Sequence, residues 1–505
     1  MAKRQFLAAA QSRLTMDWPA VNLSSDEQLT RNLRALRGRS RWLADNNGYY
    51  MRYIGMCTMN IVGPSGVRLE SKVLKANGVD ADTTANMQIE LAWREWSKKG
   101  VCTRRSKFTR VDLERIIIGS VVRDGEVLIR KWFGYGSHGY QLELIDPMRL
   151  PVDLNKTIDN RTEIINGIEY VDGEVSAYYI GKRGLKCDYD ATQAERVPAR
   201  FIEHLFFPLW PEQKRGFPWL ASGMQRLHMM DRYENAEVIA ARVAAENGGG
   251  FFKTSAAVEG DGFTGDAEDD GEAEIEYMES EAGSFGKLPE GWEFQQFDPK
   301  HPTNAFEALH SKLLRGIAAA GNVPYFSFAN DLGDVNYSSA RVGILEVRDN
   351  WQEKQNWLVS WLHEIIYPEW LRMAITTGVL NLSPSDIWRY QRVSWAPRAW
   401  NWVDPEKEAK GNLQKVKMGS ASLSDIAAEQ GKEFEEVVEQ LARDKAMLEA
   451  AGISLVDVFG ESSTGADVPQ PSTGRAQDLL RRIEELERRL AGMNINGQRY
   501  AKSLS

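Results

Sequence analysis

Three short stretches carry residue types that could do chemistry. HEIIY, from His363 to Tyr367, starts like the helix of a zinc protease but lacks the second histidine one turn later, so a single imidazole would hold the metal. We expect an ordinary helix with a surface His-Glu pair. DAEDDG, from Asp266 to Gly271, has the carboxylates and glycine of a calcium loop, but Tyr277 stands where a bidentate glutamate is required. Neither Gly286-Lys287 nor Gly431-Lys432 has the glycine spacing or the hydroxyl of a phosphate-binding loop.

The sequence therefore predicts a protein that is not an enzyme and has no cofactor and no metal site, with weak divalent-ion binding at DAEDDG left open. The 505 residues carry a net charge of −9, which argues against a protein that grips nucleic acid over its whole surface. Three scattered cysteines give neither a disulfide framework nor a zinc ribbon. No stretch approaches the roughly 20 apolar residues of a membrane span, and the start lacks a signal-peptide pattern, so we expect a soluble, unsecreted chain.

The first half reads as a basic helical start followed by an α+β region. RNLRALRGRSRWL, from Arg31 to Leu43, sets leucines among five arginines, and we interpret it as a solvated helix with one apolar stripe rather than a phosphate site. Further on, VVRDGEVLIRKWF and IEYVDGEVSAYYI each place Asp-Gly between β-branched or aromatic residues. Because Asp-Gly favours tight hairpin turns, both stretches predict β-hairpins.

The second half is dominated by long helices. A helical pattern of about 25 residues starts near Ser222 and stops at three glycines. An acidic stretch follows, with eleven acidic residues between Glu259 and Glu281, and then a returning helix from Asn304 to Val323. The polar stretch YFSFANDLGDVN connects that helix to another one, which starts at Ser338 and must kink or end at Pro368.

The end of the chain predicts short helices and a weak coiled coil. Asp404 and Pro405 form a helix start, with the aspartate as N-cap. A linker rich in serine, glycine and proline then leads to AQDLLRRIEELERRLAG, whose apolar residues are spaced four, three and four apart. Two heptads are marginal without a partner.

Several strings, in the same order, resemble the portal proteins of tailed bacteriophages in the lambda-like family. They are NNGYYMRYIGMCTMNIVGPSGVRLESK, SVVRDGEVLIRKW, LELIDPMRL, GIEYVDGEVSAYYI, RGFPWLA, YENAEVIAARVAAENGGGFFK, NYSSARVGILEVRDNW and RAWNWVDPEKEAKGN. The resemblance covers about residues 30 to 450. It implies an α+β portal fold with a mixed α/β wing, a long-helix stem, a clip insertion, a kinked long helix with a tunnel loop, and a helical crown.

The resemblance also implies where these regions lie. The boundaries we assign are a basic N-terminal helical arm at 1–45, the wing at 46–220, a stem helix at 221–249, the clip with its acidic insertion at 250–303, a second stem helix at 304–323, the tunnel loop at 324–338, the long kinked helix and further wing at 339–403, the crown at 404–455, and a linker with a coiled-coil-like tail at 456–505. The implied function is a ring of about twelve subunits at one capsid vertex, which serves as the channel for packaging and ejecting double-stranded DNA. The implied partners are other copies of the chain, DNA in the channel, the terminase large subunit, a head-completion or adaptor protein and the major capsid protein, with no membrane. The implied location is the virion, after assembly in the host cytoplasm.

Two groups of residues are the candidate functional sites. We expect the tunnel loop to face the channel as a polar collar made of Asn330, Asp331, Asp334, Asn336 and Tyr337. A conduit should contact phosphates only briefly, because each lysine or arginine contact adds affinity that resists sliding. We expect the clip to offer carboxylates to basic surfaces of the motor or adaptor, through Glu268, Asp269, Asp270, Glu272, Glu274 and Glu276, although a merely solvated loop fits the composition equally well.

Ring geometry agrees with this interpretation. Twelve inner helices with axes about 9 Å apart form a circle about 34 Å across, and subtracting a helix thickness of about 10 Å leaves a channel of about 24 Å. A B-form duplex fits such a channel. Two alternatives stay open from the residues alone: another ring-forming head–tail adaptor, and a metal-dependent nucleic-acid enzyme, which would need convergent carboxylates.

Overall fold

The structure is a computed structural model. It describes residues 13, 16–17, 20–105, 107–183, 189–245, 249–253, 292–296, 305–333, 337–400, 405–429 and 434–450. The chain divides into two compact units, Met1–Trp400 and Asn401–Ser505, and each is described by itself.

The first unit combines helices with short antiparallel sheets. Its helices are α1 (Ser25–Asn46), α2 (Gly48–Ile61), α3 (Thr83–Trp96), α4 (Arg110–Asp124), α5 (Ala221–Ala245), α6 (Ala305–Ala320), α7 (Tyr325–Ala329), α8 (Tyr337–Leu358), α9 (Glu364–Thr376) and α10 (Ile387–Tyr390). Its strands are β1 (Arg68–Ser71), β2 (Glu126–Phe133), β3 (Tyr140–Ile145), β4 (Lys156–Thr157), β5 (Thr162–Ile165), β6 (Ile168–Val171), β7 (Glu174–Arg183), β8 (Tyr189–Pro198), β9 (Ile202–Phe206), β10 (Gly249–Lys253), β11 (Trp292–Gln296) and β12 (Val393–Ala396). The mixed α and β composition confirms the predicted fold class at this level.

Within the described ranges, the strands form four separate sheets. Strand β2 is the centre of the sheet β3-β2-β9, a five-stranded meander runs β4-β5-β6-β7-β8, and β1 pairs with β12 and β10 with β11. Side chains alternate across a strand, so β2 serves two cores. Val127 and Ile129 pack in the large helical core, whereas Leu128 packs with the five-stranded sheet.

Aromatic side chains fill the centre of the large core. Trp93 on α3 lies 4.9 Å from Trp370 on α9 and 5.9 Å from Trp395 on β12, measured between ring centroids. Tyr367 packs against the same rings. This cluster fixes the long helical segment α8–α9 against the front part of the chain.

The two Asp-Gly pairs have different structures, and one prediction was wrong. Asp172-Gly173 forms the predicted two-residue turn between β6 and β7, with both residues at positive φ. Asp124-Gly125, however, ends α4: Gly125 has φ 91° and its amide bonds to the carbonyl of Val121. The apolar run before it is helical because a capping box, in which Thr109 and Asp112 bond each other's backbone amides, starts α4.

The interpretation of the arginine-rich start as a solvated helix with one stripe was also incomplete. Helix α1 is present, and it begins at a capping box formed by Ser24 and Glu27. Arg37, however, is 1% exposed, and its guanidinium bonds to Glu126 and to the carbonyl of Asp124. One of the five arginines is therefore part of the core.

The long helix after the polar stretch differs from the prediction at its start and in its interior. It starts at Tyr337, one residue before the predicted Ser338, and Pro368 lies inside α9, which continues to Thr376. The irregularity is a π-helical turn at Val359–His363, where the amide of Glu364 bonds to the carbonyl of Val359, five residues back. Pro368 therefore does not end the helix, and it lies after the irregular turn, so a kink at the proline stays a prediction.

The second unit contains α11 (Pro405–Lys417), α12 (Leu423–Glu429) and α13 (Phe434–Ala450). A capping box of Ser422 and Asp425 starts α12. Helix α11 begins at Pro405, as the sequence predicts, while Asp404 lies outside the described residues. Across the described parts of both units, no helix is long and apolar enough to cross a membrane.

Candidate functional site

The predicted polar loop begins with a short helix. Tyr325–Ala329, the start of the predicted loop, forms α7, and Asn330 ends it in the left-handed conformation with φ 56°. The amide of Asp331 then bonds to the carbonyl of Phe326. Asparagine tolerates this backbone conformation better than most residues, so Asn330 turns the chain out of α7.

Asp331 is the organising residue of the described part of the loop. Its carboxylate accepts hydrogen bonds from the amide of Gly333 at 3.0 Å and from the hydroxyl of Tyr325 at 2.9 Å. These two donors, the Gly333 amide first, lower the pKa of Asp331, which therefore keeps its negative charge. Arg315 on α6 stacks on the Tyr325 ring, 4.9 Å from its centroid. Sequence reasoning named Asp331 but missed Tyr325 and Arg315 as its supports.

The remaining predicted loop residues are only partly described. Asp334 and Asn336 lie outside the described residues, and Tyr337 is the first residue of α8, with its side chain outside them as well. The structure thus brings together Asn330 and Asp331 at the end of α7. That these five residues form one collar stays a prediction.

The base of the loop is attached to the front of the chain. Arg52 on α2 donates two hydrogen bonds to the carbonyl of Ser327, and the ring of Tyr49 lies 6.0 Å from that of Phe328. On the other side, Asn350 on α8 donates to the carbonyl of Asn322. The described loop residues are therefore held between α2, α6 and α8.

Helices α5 and α6 form an antiparallel pair that leads to the loop. Gly223 on α5 approaches Ala320 on α6 so closely that an added Cβ would lie 3.4 Å from the alanine methyl group. Further along, the ring of Tyr233 packs 5.4 Å from Phe306, and His310 pairs with Glu234. The small residues allow the close approach at one end, and the aromatic contacts hold the other.

The opposite face of α5 carries exposed apolar side chains. Five of the exposed positions of α5 follow one stripe with spacings of four and three residues, as in helices that pack side by side: Gln225, Met229, Arg232, Ala236 and Ile239. Met229 and Ile239 are 63% and 56% exposed, and the neighbouring Val238 is 68% exposed. Met229 and Ile239 are thus the large apolar members of this stripe, and Val238 lies next to it.

The predicted clip is outside the described residues at every named position. These positions are Glu268, Asp269, Asp270, Glu272, Glu274 and Glu276. The structure does describe the strands on either side of that segment: β10 and β11 pair antiparallel, with Phe251 opposite Phe294. The chain therefore leaves α5 and returns toward α6 through a two-stranded ribbon.

Two buried charged clusters were missed by sequence reasoning. In the first, Glu126 is fully buried and accepts hydrogen bonds from Arg37, Arg215, His204 and the amide of Gly216. Burial alone would raise the pKa of Glu126, but the charges of Arg215 and Arg37 outweigh it and hold that pKa well below its usual value. Arg215 also donates to backbone carbonyls beside the five-stranded sheet, so this cluster joins the two larger sheets.

The second cluster corrects the interpretation of HEIIY. His363 is fully buried rather than on the surface, and its ring lies beside Trp395 and the buried Glu114–Arg110 ion pair. Burial, and then the charge of Arg110, lowers the pKa of His363 well below its usual value. The described residues contain no group of three or more metal-ligating side chains.

The sequence of the chain matches a known family over residues 11–355. The matching model describes the phage portal protein, lambda family. The chain belongs to this family. A lambda-family portal protein is a structural protein, so the enzyme alternative is excluded and the prediction of a non-enzymatic chain is confirmed.

Curated relatives align with this portal protein over most of its length and of theirs. The probable portal protein of Halomonas phage phiHAP-1 is 31% identical over 457 residues, which cover 89% of this chain and 88% of the relative. Portal protein B of Escherichia phage lambda is 24% identical, and the portal protein of Escherichia phage N15 is 22% identical, each over 86% of this chain and 88% of the relative.

Solved structures are similar at lower identity. A chain from the neck of a native gene transfer agent particle, computed with C12 symmetry, is 14% identical, with a TM-score of 0.42, over 82% of this chain and 95% of that chain. A chain from the neck of the empty particle, computed with C6 symmetry, also has a TM-score of 0.42 and 14% identity, over 80% of this chain and 94% of that chain.

Proposed function

We propose that this portal protein assembles into a ring of about twelve copies at one vertex of the capsid. The ring is the channel through which double-stranded DNA enters during packaging and leaves during ejection. It is also the platform on which the terminase motor docks during filling and the head–tail connector docks afterwards. Family membership supports the proposal, and α5, α6 and the loop are the elements through which the chain would perform it.

The observation that carries the proposal is the exposed stripe of α5, with Met229 and Ile239 on it and Val238 beside it. Within the described residues, α6 covers one face of α5, while Met229, Val238 and Ile239 stay exposed on the other side. Each fully buried side chain of this size contributes about 1.5–3 kcal/mol. Side-by-side packing of α5 against the helical pair of another copy buries the stripe, and repetition of one such heterologous contact closes a ring.

The loop after α7 supplies the polar surface of the proposed channel. Asp331 is exposed and ionised, so it repels phosphates rather than binding them. Asn330 adds an uncharged polar group beside it. Together with Asp334, Asn336 and Tyr337, these residues form the proposed collar, which guides DNA without holding it.

The acidic segment between β10 and β11 is the proposed docking end of the ring. Its carboxylates, from Glu268 to Glu276, attract basic surfaces on the motor or the connector. Neutralising all six acidic residues to their amides should therefore weaken connector binding, with a steep dependence on salt. Unchanged binding would mean that this segment is only a solvated connection.

The test of the ring is the mass of the purified protein by light scattering after size exclusion, combined with negative-stain images. We expect rings with a central hole and a mass about twelve times that of the 57.0 kDa chain. Ile239→Glu should prevent ring formation, because it places a charge in the packed stripe. Val79→Glu is the matched control, since Val79 is 80% exposed on a different part of the unit.

Two outcomes would contradict the proposal. A monomer or dimer that persists at every salt and protein concentration would exclude a ring that forms without other proteins. Rings that form equally well with Ile239→Glu would leave the ring intact but remove α5 as its interface.

A further inference from the structure

An arginine and aromatic patch lies at the exposed end of the three-stranded sheet. It consists of Arg104, Arg105, Arg130, Trp132 and Tyr135, and we call it the arginine–aromatic patch. Trp132 and Arg130 project from the same face of β2, since they are two residues apart. The other members come from the segment before α4 and from the turn after β2.

The backbone holds Arg104 firmly in this patch. Its amide bonds to the carbonyl of Leu142 at 2.9 Å, and the amide of Leu142 bonds to the carbonyl of Cys102 at 2.8 Å, which adds a short parallel edge to β3. Cys102 and Leu142 are both buried. Arg105 follows with φ 65°, a left-handed conformation that residues with side chains rarely adopt. The surrounding fold thus holds the backbone of both arginines beside the edge of β3.

The guanidinium of Arg104 sits in a corner between two rings. Its Cζ atom lies 4.1 Å from the centroid of Trp132 and 3.7 Å from that of Tyr135. The two rings are nearly perpendicular, at 89°, with centroids 5.6 Å apart. Stacked guanidinium groups keep their in-plane N–H donors available, so the rings position Arg104 without using its hydrogen-bonding capacity.

The charges around the patch leave Arg104 without a carboxylate partner. Arg105 pairs with Glu143 at 3.0 Å, and Arg130 pairs with Glu195 at 2.9 Å. Among the described residues, no acidic side chain pairs with Arg104. One guanidinium with its donors free therefore stands at the centre of a partly apolar surface, with Tyr135 44% exposed beside it.

We propose that the arginine–aromatic patch binds a protein segment that presents a carboxylate next to an aromatic or aliphatic side chain. The carboxylate accepts two parallel hydrogen bonds from Arg104, and the apolar neighbour packs on Tyr135 and Trp132. Arginine, tryptophan and tyrosine are the residues that dominate protein–protein binding energies. Arg105 and Arg130 are each paired with a glutamate, whereas a phosphate backbone needs an excess of basic residues, so the balance of charge in the patch argues against a nucleic acid.

The test uses the full chain and two fluorescein-labelled peptides. One is Gly-Glu-Phe-Glu-Gly, and the other is the same peptide with glutamine in place of both glutamates. Fluorescence anisotropy at low salt should show at least about tenfold tighter binding of the glutamate peptide, since hydrogen bonds to charged groups contribute about 1.5–3 kcal/mol. Arg104→Gln should abolish this preference, and Arg104→Lys should retain only part of it, because lysine keeps the charge but loses the planar fork. Arg94→Gln is the matched control, since Arg94 is an exposed arginine on α3 and is not a member of the patch.

Equal binding of the two peptides by the unaltered chain would overturn the proposal. So would an equal loss with Arg94→Gln, which would indicate only a general effect of charge. Labelled oligothymidylate serves as the third probe: tighter binding than the glutamate peptide, lost with Arg104→Gln, would replace the protein ligand with a nucleic acid. The patch and its test do not depend on ring formation.

Discussion

The Nε2 atom of His363 lies 3.4 Å from Oε1 of Glu114, and both side chains are fully buried. The geometry is not that of a hydrogen bond, and neither ring nitrogen of His363 has a hydrogen-bond partner within the described structure. Arg110 forms an ion pair with the same carboxylate, and the Trp395 ring lies 4.7 Å from the imidazole. The π-helical turn that ends at His363 places this imidazole in the core rather than on the surface.

This pair predicts two opposing effects of pH on stability. The pKa of His363 is lowered by burial, so the folded chain keeps the ring neutral while the unfolded chain takes up a proton below about pH 6.5. The free energy of unfolding therefore decreases as the pH falls, because only the unfolded chain gains this proton. Burial raises the pKa of Glu114, so the folded chain keeps the carboxyl proton of Glu114 to a higher pH than the unfolded chain does. The free energy of unfolding therefore decreases as the pH rises above about 4.5. Between these values the two effects oppose each other.

Replacing His363 with phenylalanine separates the two effects. The variant keeps an aromatic ring beside Trp395 but loses the titrating group, so its stability relative to the unaltered chain should rise as the pH falls from 7.5 to 5.5. One proton changes the free energy of unfolding by at most about 1.4 kcal/mol per pH unit. Urea unfolding at several pH values measures the difference. His228→Phe is the control at an exposed histidine, and a difference that does not vary with pH for His363→Phe would refute the assignment.

The buried Glu126 cluster predicts a severe loss of stability in the variant Glu126→Gln. The substitution removes the negative charge that compensates Arg37 and Arg215, both of which are fully buried. Breaking a buried ion pair from one side destabilises by about 3–5 kcal/mol. Asp153→Asn is the comparison, since Asp153 is exposed and pairs only at the surface with Arg34, for which we expect a change under about 1 kcal/mol. Similar unfolding midpoints for the two variants would show that Glu126 is not needed to join the sheets.

The loop predicts a local effect from the variant Tyr325→Phe. Loss of the hydroxyl removes one of the two hydrogen bonds that hold the Asp331 carboxylate, while the ring that stacks with Arg315 stays in place. We expect faster hydrogen exchange at the amides of Asp331 and Gly333, with no change in the global unfolding midpoint. Tyr49→Phe provides the control, because Tyr49 lies beside the loop base and contacts Phe328 through its ring. Unchanged exchange rates in Tyr325→Phe would show that Tyr325 does not order the loop.

The elements that the sequence predicts well are those encoded by local patterns. Helix α5 runs to Ala245, just before three glycines, and the Asp172-Gly173 hairpin joins two strands of alternating residues. Both signals act over a few residues, so no distant part of the chain needs to be known. Asn330 and Asp331 lie in a run of asparagine, aspartate and glycine that indicates a polar loop, but that they face a channel stays a prediction.

The elements that the sequence did not predict depend on distant partners. Arg37 and Glu126 are 89 residues apart, and Arg215 is another 89 residues further along. No spacing rule connects them, so nothing near each residue in the sequence indicates that they meet. His363 is similar, since its burial is set by Glu114 and Trp395 on other elements. Only the packed structure shows that these polar residues are buried and what surrounds them.

The misassigned Asp-Gly pair gives the last prediction. An added Cβ at Gly125 would lie 2.2 Å from the amide nitrogen of Phe217, and the φ of 91° is itself unfavourable for any other residue. Gly125→Ala must therefore displace backbone next to the Glu126 cluster, and we expect little soluble protein at 37 °C. Gly134→Ala is the matched control: its φ is 79°, but an added Cβ would meet nothing within 4 Å, so only the backbone preference of about 1 kcal/mol is lost. Comparing soluble yield and unfolding midpoint for the two variants separates the effect of close packing from that of backbone strain. Equal values would show that the backbone of Phe217 does not prevent a side chain at position 125.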